Sequence, residues 1–550
     1  MNNYYFDVNG NVGCGCQGYG EYPSVENYIS HMEYLGIGRA AVWSLEARDI
    51  NPCRGNENLC KNLNENAKHK NQLIPAFVIT PALFYEKKTL SWISEYLKKN
   101  KAVLRIFPHH SRFSLGNIER VLEELEDMSP VILWDYRNTD NCVVDSQAIV
   151  RLAARFPRSS FILTHTMWPA FNGLLDIMWR SSNILSDISW FHMRDAIKIV
   201  CKEFGAERLV FGTGHKTNYG ASISGLAFAD INEKENELIA HGNMEKMLGL
   251  PPLEGENIPC IKMRDDKPLW DFVANGRTIE NVKILDAHCH SGPSTGGWLF
   301  EETGSEITVA MKKQAQRVGI TRMFVSHFPA LFGDPLTGNR EVAEELGKDD
   351  MFKGYFVFNP HYYKKIGKDV LDSFFRDDFF IGFKLLPSYW EVAVTDERYN
   401  AVWEYADQYR LPILVHTWQG QFDEPSLLEK ITEKYKNAFF LLGHSGGNDT
   451  GRQQAVSLAQ KRKNVYLEFC GSFGSTIDWM ETIKEVGFDR VVFGSDAGMH
   501  DQAWEIGRLL SIPLPDIKLR PVLGENFLKI LKKRTFRASG ATSKPDCLES

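Results

Sequence analysis

Short runs of apolar residues alternate with amphipathic stretches along the whole chain. In the second half there are eight such runs: KILDAH, RMFVSH, KGYFVF, FIGFKLL, PILVH, AFFLLGH, NVYLEFC and RVVFGSD. Runs that are apolar at consecutive rather than alternate positions predict strands buried on both faces, as in a parallel sheet. Between them, segments such as YNAVWEYADQYR and SLLEKITEKYKN place apolar residues at helical spacing and charges elsewhere, which predicts helices covering one face of the sheet. Eight strand–helix units in about 250 residues are the size of a (β/α)8 barrel. A doubly wound open sheet is the alternative, and it normally uses fewer units.

The first half repeats the pattern. Asp7 in YYFDVNGNVG falls on Asp286 in KILDAHCHSG, Arg39 on Arg322, Gly55 on Gly338, Pro81 on Pro360 and Asn243 on Asn526. Between these, AVLRIFP, SPVILWD, SFILTHT and RLVFGTG match IGFKLLP, LPILVHT, AFFLLGHS and RVVFGSD. The offset is 279 residues at the first pair and 283 at the last. So steady a register predicts a tandem duplication, and with it an α/β protein of two tandem (β/α)8 TIM-type barrels. The expected boundaries are 1–250 for the first barrel and 251–282 for a Pro- and charge-rich linker packed through Trp270 and Phe272. The second barrel is expected at 283–535, and a polar tail without fixed structure at 536–550.

Composition narrows the class. At 550 residues, 43% hydrophobic and 24% charged, the chain has material for two cores. A net charge of −7 offers no basic face, so neither nucleic acid nor an anionic membrane surface is an expected partner. No run of about 18 apolar residues is present to span a bilayer. The start, MNNYYFDVNG, lacks the basic-then-apolar pattern of a secretory leader, so a cytoplasmic location is expected. Among ten cysteines, Cys14 lies near Cys16 and Cys53 near Cys60, without a second pair to complete a zinc pattern; they read as reduced thiols.

In a barrel of this kind, functional side chains gather at the C-terminal ends of the strands. There the second copy has His288 and His290 on the first run, Lys384 on the fourth, His416 on the fifth, His444 on the sixth and Asp496 on the eighth. His288 and His290, two apart on a strand, face the same side. One such histidine is more often a hydrogen-bonded core residue than a ligand. Four of them with a carboxylate at one barrel end predict a divalent cation, zinc by donor type, with manganese, iron or cobalt as alternatives. His327, Arg340, His361, Tyr389, Trp418 and Glu468 are candidates for the pocket wall, and Arg340 with Lys384 would suit an anionic small-molecule substrate.

The segments DAHCH, GFKLLP, ILVHT, LLGHSGG, VVFGSD and LGENFLKIL, in that order, resemble the amidohydrolase superfamily. Within it they resemble the amidohydrolase-related branch that includes the aminocarboxymuconate-semialdehyde decarboxylase-like enzymes. The resemblance implies that His288, His290, His416 and Asp496 bind metal and that Asp496 takes a proton from activated water. It makes His444 either a ligand of a second metal or a catalytic histidine beside the first. Lys384 becomes either a carbamylated bridge between two cations or a free amine beside one, with one metal expected. The leading expectation is a metal-dependent hydrolase acting on an amide, ester or lactone bond. The alternatives are non-oxidative decarboxylation of a small carboxylic acid and a non-catalytic metal or ligand sensor. Assembly into a homo-oligomer is left open.

At the corresponding positions the first copy has Asn9 and Asn11 for the strand-one histidines, Arg105 for Lys384, Trp134 for His416 and Gly214 for Asp496; His165 alone is kept, on His444. Amides are poor zinc ligands and a lone histidine does not hold a cation, so this half is expected to be a barrel that has lost its metal. The alternative is a separate anion site on Arg105, His109, His165 and His215.

Overall fold

The structure is a computed structural model describing residues 4–16, 18–19, 21–66, 69, 71–136, 146–214, 220–254, 265–293, 304–471 and 474–535. His215 and the expected tail at 536–550 lie outside these residues. The chain divides into two compact units, Met1–Arg264 and Asp265–Ser550.

In the first unit the strands Tyr5–Val12, Ile37–Ser44, Leu73–Val78, Val103–Ile106, Val131–Asp135, Ser160–Thr164, Ile184–Asp187 and Leu209–Val210 pair in chain order, all parallel. In the second the strands are Ile284–Ser291, Ile320–His327, Phe352–Val357, Phe380–Leu385, Pro412–His416, Phe439–Gly443, Val465–Phe469 and Val491–Phe493, paired in the same way. Each sheet closes on itself. The Val8 N–H donates to Phe211 O at 3.2 Å, and in the second unit the Asp496 N–H donates to His288 O and the His290 N–H to Ala497 O, both at 2.7 Å. The fold is therefore two tandem (β/α)8 barrels, one to each apolar octet of the sequence, and the open-sheet alternative falls. Closure also explains the pattern: a strand with a barrel interior on one side and helices on the other is buried on both faces. Leu285, Phe324, Tyr355, Ile381, Leu414 and Val492 belong to one buried cluster of the second unit.

The duplication extends to individual hydrogen bonds. Asn56 bonds both ways with the backbone of Val78, at 2.9 and 3.0 Å, and Asn339 does the same with Val357 at 3.0 Å. The Asn183 amide donates to three carbonyls at a helix end and the loop after it (Ala153, Phe156, Ser159), as does that of Asn464 (Thr432, Tyr435, Ala438). These amides satisfy buried carbonyls that no ladder reaches. Gly55 and Gly338 are a further pair: a Cβ on Gly338 would stand 2.4 Å from the Ala330 nitrogen, and one on Gly55 2.3 Å from that of Ala47. Gly338→Ala is accordingly expected to cost about 1–3 kcal/mol, read as a lower denaturation midpoint of the second unit; an unchanged midpoint would mean that the two helices part freely.

Part of the stretch expected to be linker is an element of the second unit. Pro268–Ala274 is a helix with Leu269 and Trp270 buried, while Phe272 is half-buried under Arg277. The Lys267 ammonium donates to Ile512 O and Leu514 O, both at 2.8 Å, and the Leu269 N–H donates to Asp516 at 2.6 Å. Among the described residues no helix is long and apolar enough to cross a membrane.

Candidate metal centre

The first strand of each barrel carries a bulge at the point where the candidate ligands begin. Asp286 pairs with Met323 but Cys289 with Val325, so the first strand holds one residue more than its neighbour; Asp7 and Gly10 repeat this against Ala40 and Val42. A bulge breaks strict alternation and re-aims the side chains around it. Asp286, fully buried, anchors the strand: it accepts the Ser495 N–H at 2.9 Å, the Ser495 hydroxyl, and the Gln502 amide at 3.1 Å. Asp7 accepts the N–H and hydroxyl of Thr213 in the same manner, at 2.9 and 2.8 Å.

His288, within the bulge, places Nε2 3.6 Å from Asp496 Oδ1, and His290, just beyond it, places Nε2 2.9 Å from the same oxygen. One donor atom from each residue falls within 4.8 Å of the other two. Asp496 reaches this place with a left-handed backbone, φ 56°, a conformation in which Asp and Asn are over-represented among non-glycine residues. The imidazoles form a row, with centroids 5.2 Å apart from His290 to His288, 5.1 Å to His444 and 5.0 Å on to His416.

The outer edges of these rings are engaged by protein. His288 Nδ1 lies 3.0 Å from Glu468 Oε2, His416 Nδ1–H donates to Asp423 Oδ2 at 2.7 Å, and His444 Nδ1–H donates to Cys470 O at 3.2 Å. An imidazole whose Nδ1 carries the proton presents a lone pair at Nε2. His290 Nδ1 meets the Ser326 hydroxyl at 2.9 Å, which both donates and accepts and so serves either tautomer. Burial pushes the His444 imidazole down to about 3 and lowers His288 and His290 as well, which keeps the rings neutral. Burial would raise the Asp496 carboxyl, but its electrostatic interaction with His288 and the hydrogen bond from His290 outweigh it and hold it well below the usual range.

Lys384, also buried, places Nζ 2.6 Å from His288 Nε2. His416 stands one ring away from the His288–His290–Asp496 group, next to His444. A second group lies on the far edge of His288, where Cys470 Sγ is 3.2 Å from His288 Nδ1 and 3.7 Å from His444 Nδ1. Both of those nitrogens already face oxygen partners, Glu468 Oε2 and Cys470 O.

Aromatic rings flank the centre. Trp418 stacks parallel to His416 at 6.0 Å, and the exposed Tyr389 meets His416 edge-on at 5.5 Å. Phe328 stacks on His290 at 4.8 Å and on Phe332 at 6.1 Å, and Phe332 lies 5.9 Å from Tyr389. His327 is buried with Nδ1 3.0 Å from the Ser291 hydroxyl. Three of the wall candidates lie elsewhere. Arg340 is exposed on the helix Pro335–Leu346 and borders an outer groove of about 620 Å³ with Phe374 and Phe380, beside the start of the fourth strand. It therefore does not join Lys384 in holding an anion. His361 is exposed and bonds Trp390 O at 2.9 Å. Glu468 is 0% exposed and lies behind the imidazoles rather than beside a substrate.

The first barrel repeats this frame without the ligands. Arg105, 0% exposed, donates to Val8 O and Asn9 Oδ1 at 3.1 Å and to Thr164 Oγ1 at 3.2 Å. The Asn9 amide donates to Asp187, and the His165 N–H donates to Asp187 Oδ1 at 3.0 Å. Arg105–Asn9–Asp187 is thus the counterpart of Lys384–His288–Glu468. The anion-site alternative finds Arg105 engaged by protein acceptors and His109 exposed. Arg105→Ala strands those acceptors and leaves a cavity, an expected loss of about 3 kcal/mol in the first unit. With catalysis placed in the second unit, kcat/KM for any reaction there should stay within about threefold, as should that of His165→Ala. A tenfold fall, about 1.4 kcal/mol, with stability unaltered would put catalytic groups in the first barrel.

The sequence pattern of the amidohydrolase family matches residues 332–532, which run from the end of the short helix after the second strand to the helix Asn526–Leu531 that follows the eighth strand of the second barrel. No curated protein matches the chain. Solved structures similar to it include an uncharacterised TIM-barrel protein from Bordetella bronchiseptica (14% identity over 46% of this chain and 99% of that one, TM-score 0.38). Another is 5-carboxyvanillate decarboxylase from Sphingomonas paucimobilis (10% identity, 46% and 99%, TM-score 0.36). A third is a dihydroxybenzoic acid decarboxylase from a Polaromonas species with bound manganese and the inhibitor 2-nitroresorcinol (16% identity, 46% and 97%, TM-score 0.36).

Proposed function

We propose that the second barrel, whose residues 332–532 match the amidohydrolase family, hydrolyses an amide, ester or lactone bond of a small molecule with the help of one divalent cation. The observation that carries the reading is the convergence of His288 Nε2, His290 Nε2 and Asp496 Oδ1 on imidazoles whose outer nitrogens are held by protein partners. Two imidazole nitrogens and a carboxylate oxygen suit zinc, the expected ion, and equally manganese, iron or cobalt; His416 is the proposed further ligand. A cation bound there supplies Lewis acidity and an acidified water.

The protein groups do the rest. Asp496, held ionised, accepts the proton of the attacking water and returns it to the leaving group. His444, neutral and with its Nδ1–H committed to Cys470 O, offers an Nε2 lone pair to a hydroxyl or proton of the substrate. Lys384 and a cation draw on the same lone pair of His288, so loading the centre frees the Lys384 amine for a substrate carboxylate or for carbamylation.

A second reading, decarboxylation of an aryl carboxylate, is favoured by that buried amine together with the rings of Phe332, Tyr389 and Trp418 flanking the centre. Metal-loaded full-length chain offered lactones, amides, aryl esters and aryl carboxylates separates the two by product. A new carboxylate is expected. Carbon dioxide release would transfer the assignment to the second reading, and stoichiometric metal with no turnover of any class would leave a sensor.

A further inference from the structure

Glu468 is the fully buried carboxylate on the seventh strand, and one of its oxygens collects three donors. Oε2 lies 3.0 Å from His288 Nδ1 and takes the backbone N–H of His444 at 3.1 Å and the Cys470 thiol at 3.2 Å. The second of these holds a residue in the left-handed conformation, His444 at φ 61°. The space around the carboxylate is shaped for it: a Cβ on Gly494 would stand 2.1 Å from Glu468 Oε1 and 2.7 Å from the His288 Cβ.

The first barrel supplies an independent copy of the same device. There Asp187 accepts the Asn9 amide and the His165 backbone N–H at 3.0 Å, with His165 also left-handed at φ 66°. Gly212 stands where Gly494 does, and a Cβ on it would be 2.5 Å from the Asn9 amide nitrogen and 2.8 Å from Asp187. One half has histidine and the other asparagine at the strand-one position, yet both direct a side-chain nitrogen outward onto a strand-seven acidic side chain. The carboxylate therefore acts on whatever strand one presents, rather than belonging to a cluster that exists only where histidine does.

We propose that Glu468 is a positioning residue of the catalytic centre, fixing the Nδ1–H tautomer of His288 so that Nε2 faces the ligand group, and pinning the turn that carries His444. The inference rests on the functional reading above for the identity of the centre, but its mechanism concerns the metal-free chain. A carboxylate behind a ligating imidazole sets the ring's tautomer and orientation, and losing such a partner typically weakens metal binding about 10–100-fold.

The test uses full-length chain, selectively labelled with 15N-histidine, as wild type, Glu468→Ala and Glu468→Gln. The His288 tautomer is read from the nitrogen shifts of the metal-free protein, and affinity from titration with zinc or manganese. Wild type should show His288 protonated at Nδ1. Glu468→Ala should lose that tautomer and bind metal about 10–100-fold more weakly. Glu468→Gln should keep the tautomer, because a single oxygen receives all three donors and the Gln carbonyl can take its place, with affinity within about tenfold of wild type. A wild-type tautomer and affinity in Glu468→Ala would overturn the proposal. If the Ala variant does not fold, an intact tautomer in Glu468→Gln with affinity down by more than a hundredfold would overturn it too, since charge rather than position would then be acting. A tautomer that depends on Glu468 in a chain that binds no metal would uphold the positioning role and remove the functional reading instead.

Discussion

Asp496→Asn is expected to lower kcat in the second barrel by about 10²–10⁴-fold, the span ordinarily attributed to a positioned acid–base group, with the protein still folded. Asparagine is the informative replacement because it isolates one property. It is isosteric with aspartate and tolerates the left-handed backbone at this position, φ 56°, better than other side chains. The closing hydrogen bond from the residue 496 N–H to His288 O, 2.7 Å, is a backbone bond and survives. What disappears is a carboxylate kept ionised by the imidazoles around it, and with it the acceptor for the proton of the nucleophile. If that acceptor acts in the transition state, kcat and kcat/KM fall together while KM changes little. Steady-state kinetics beside a thermal melt decides the matter: a folded variant retaining most of its kcat would make Asp496 a structural or purely ligating residue.

The second large effect is on metal content. Replacing His288 and His290 together by alanine is expected to reduce the metal bound to purified chain from about one ion to under a tenth of one. Two of the three converging donors are then gone, and Asp496 alone offers a single carboxylate, too little to compete with water for a divalent ion. His444 and His416 remain, but without the two strand-one imidazoles the group keeps too few donors to hold the ion. Metal analysis after dialysis provides the number. Arg105→Ala is the matched control, a change at the corresponding centre of the other barrel that should leave occupancy unaltered. Stoichiometric metal in the double variant would place the ion elsewhere, at a group that needs neither His288 nor His290.

Much of this architecture is legible in the sequence because barrel strands are buried on both sides and so read as unbroken apolar runs. A polar residue interrupting such a run stands out, which is how Lys384, His416 and His444 draw notice. Glu468 carries the same mark, yet the sequence offers no way to tell a side chain facing a pocket from one lodged behind the ligands; both are inward at a strand's end. The bulge after Asp286 is invisible for a different reason. It is a property of pairing between two strands and leaves no trace in either. Arg340 misleads because its helix follows the second strand closely, and only the helix's rotation decides whether a charge points to the barrel mouth or, as found, to an outer groove. Asp423, Ser326 and Cys470, the groups that orient the imidazoles, lie on other strands and loops and have no spacing signature linking them to their histidines. The helix Pro268–Ala274 was hidden by its surroundings, since proline and charge on either side read as connection rather than structure.

Arg105 has a consequence for the chain as a material. The cross-brace at the inner end of the first barrel is a guanidinium that belongs to the polymer, so its local concentration is independent of the medium and it cannot be exchanged or washed out. An ion drawn from solution obeys mass action, and the stability it lends rises with the logarithm of its free concentration. With the cation bound where it is proposed, one half of this polypeptide would keep a constant folding free energy along a gradient of metal supply while the other would track its surroundings. The duplication would then have produced, within a single covalent chain, a buffered and an unbuffered version of the same barrel.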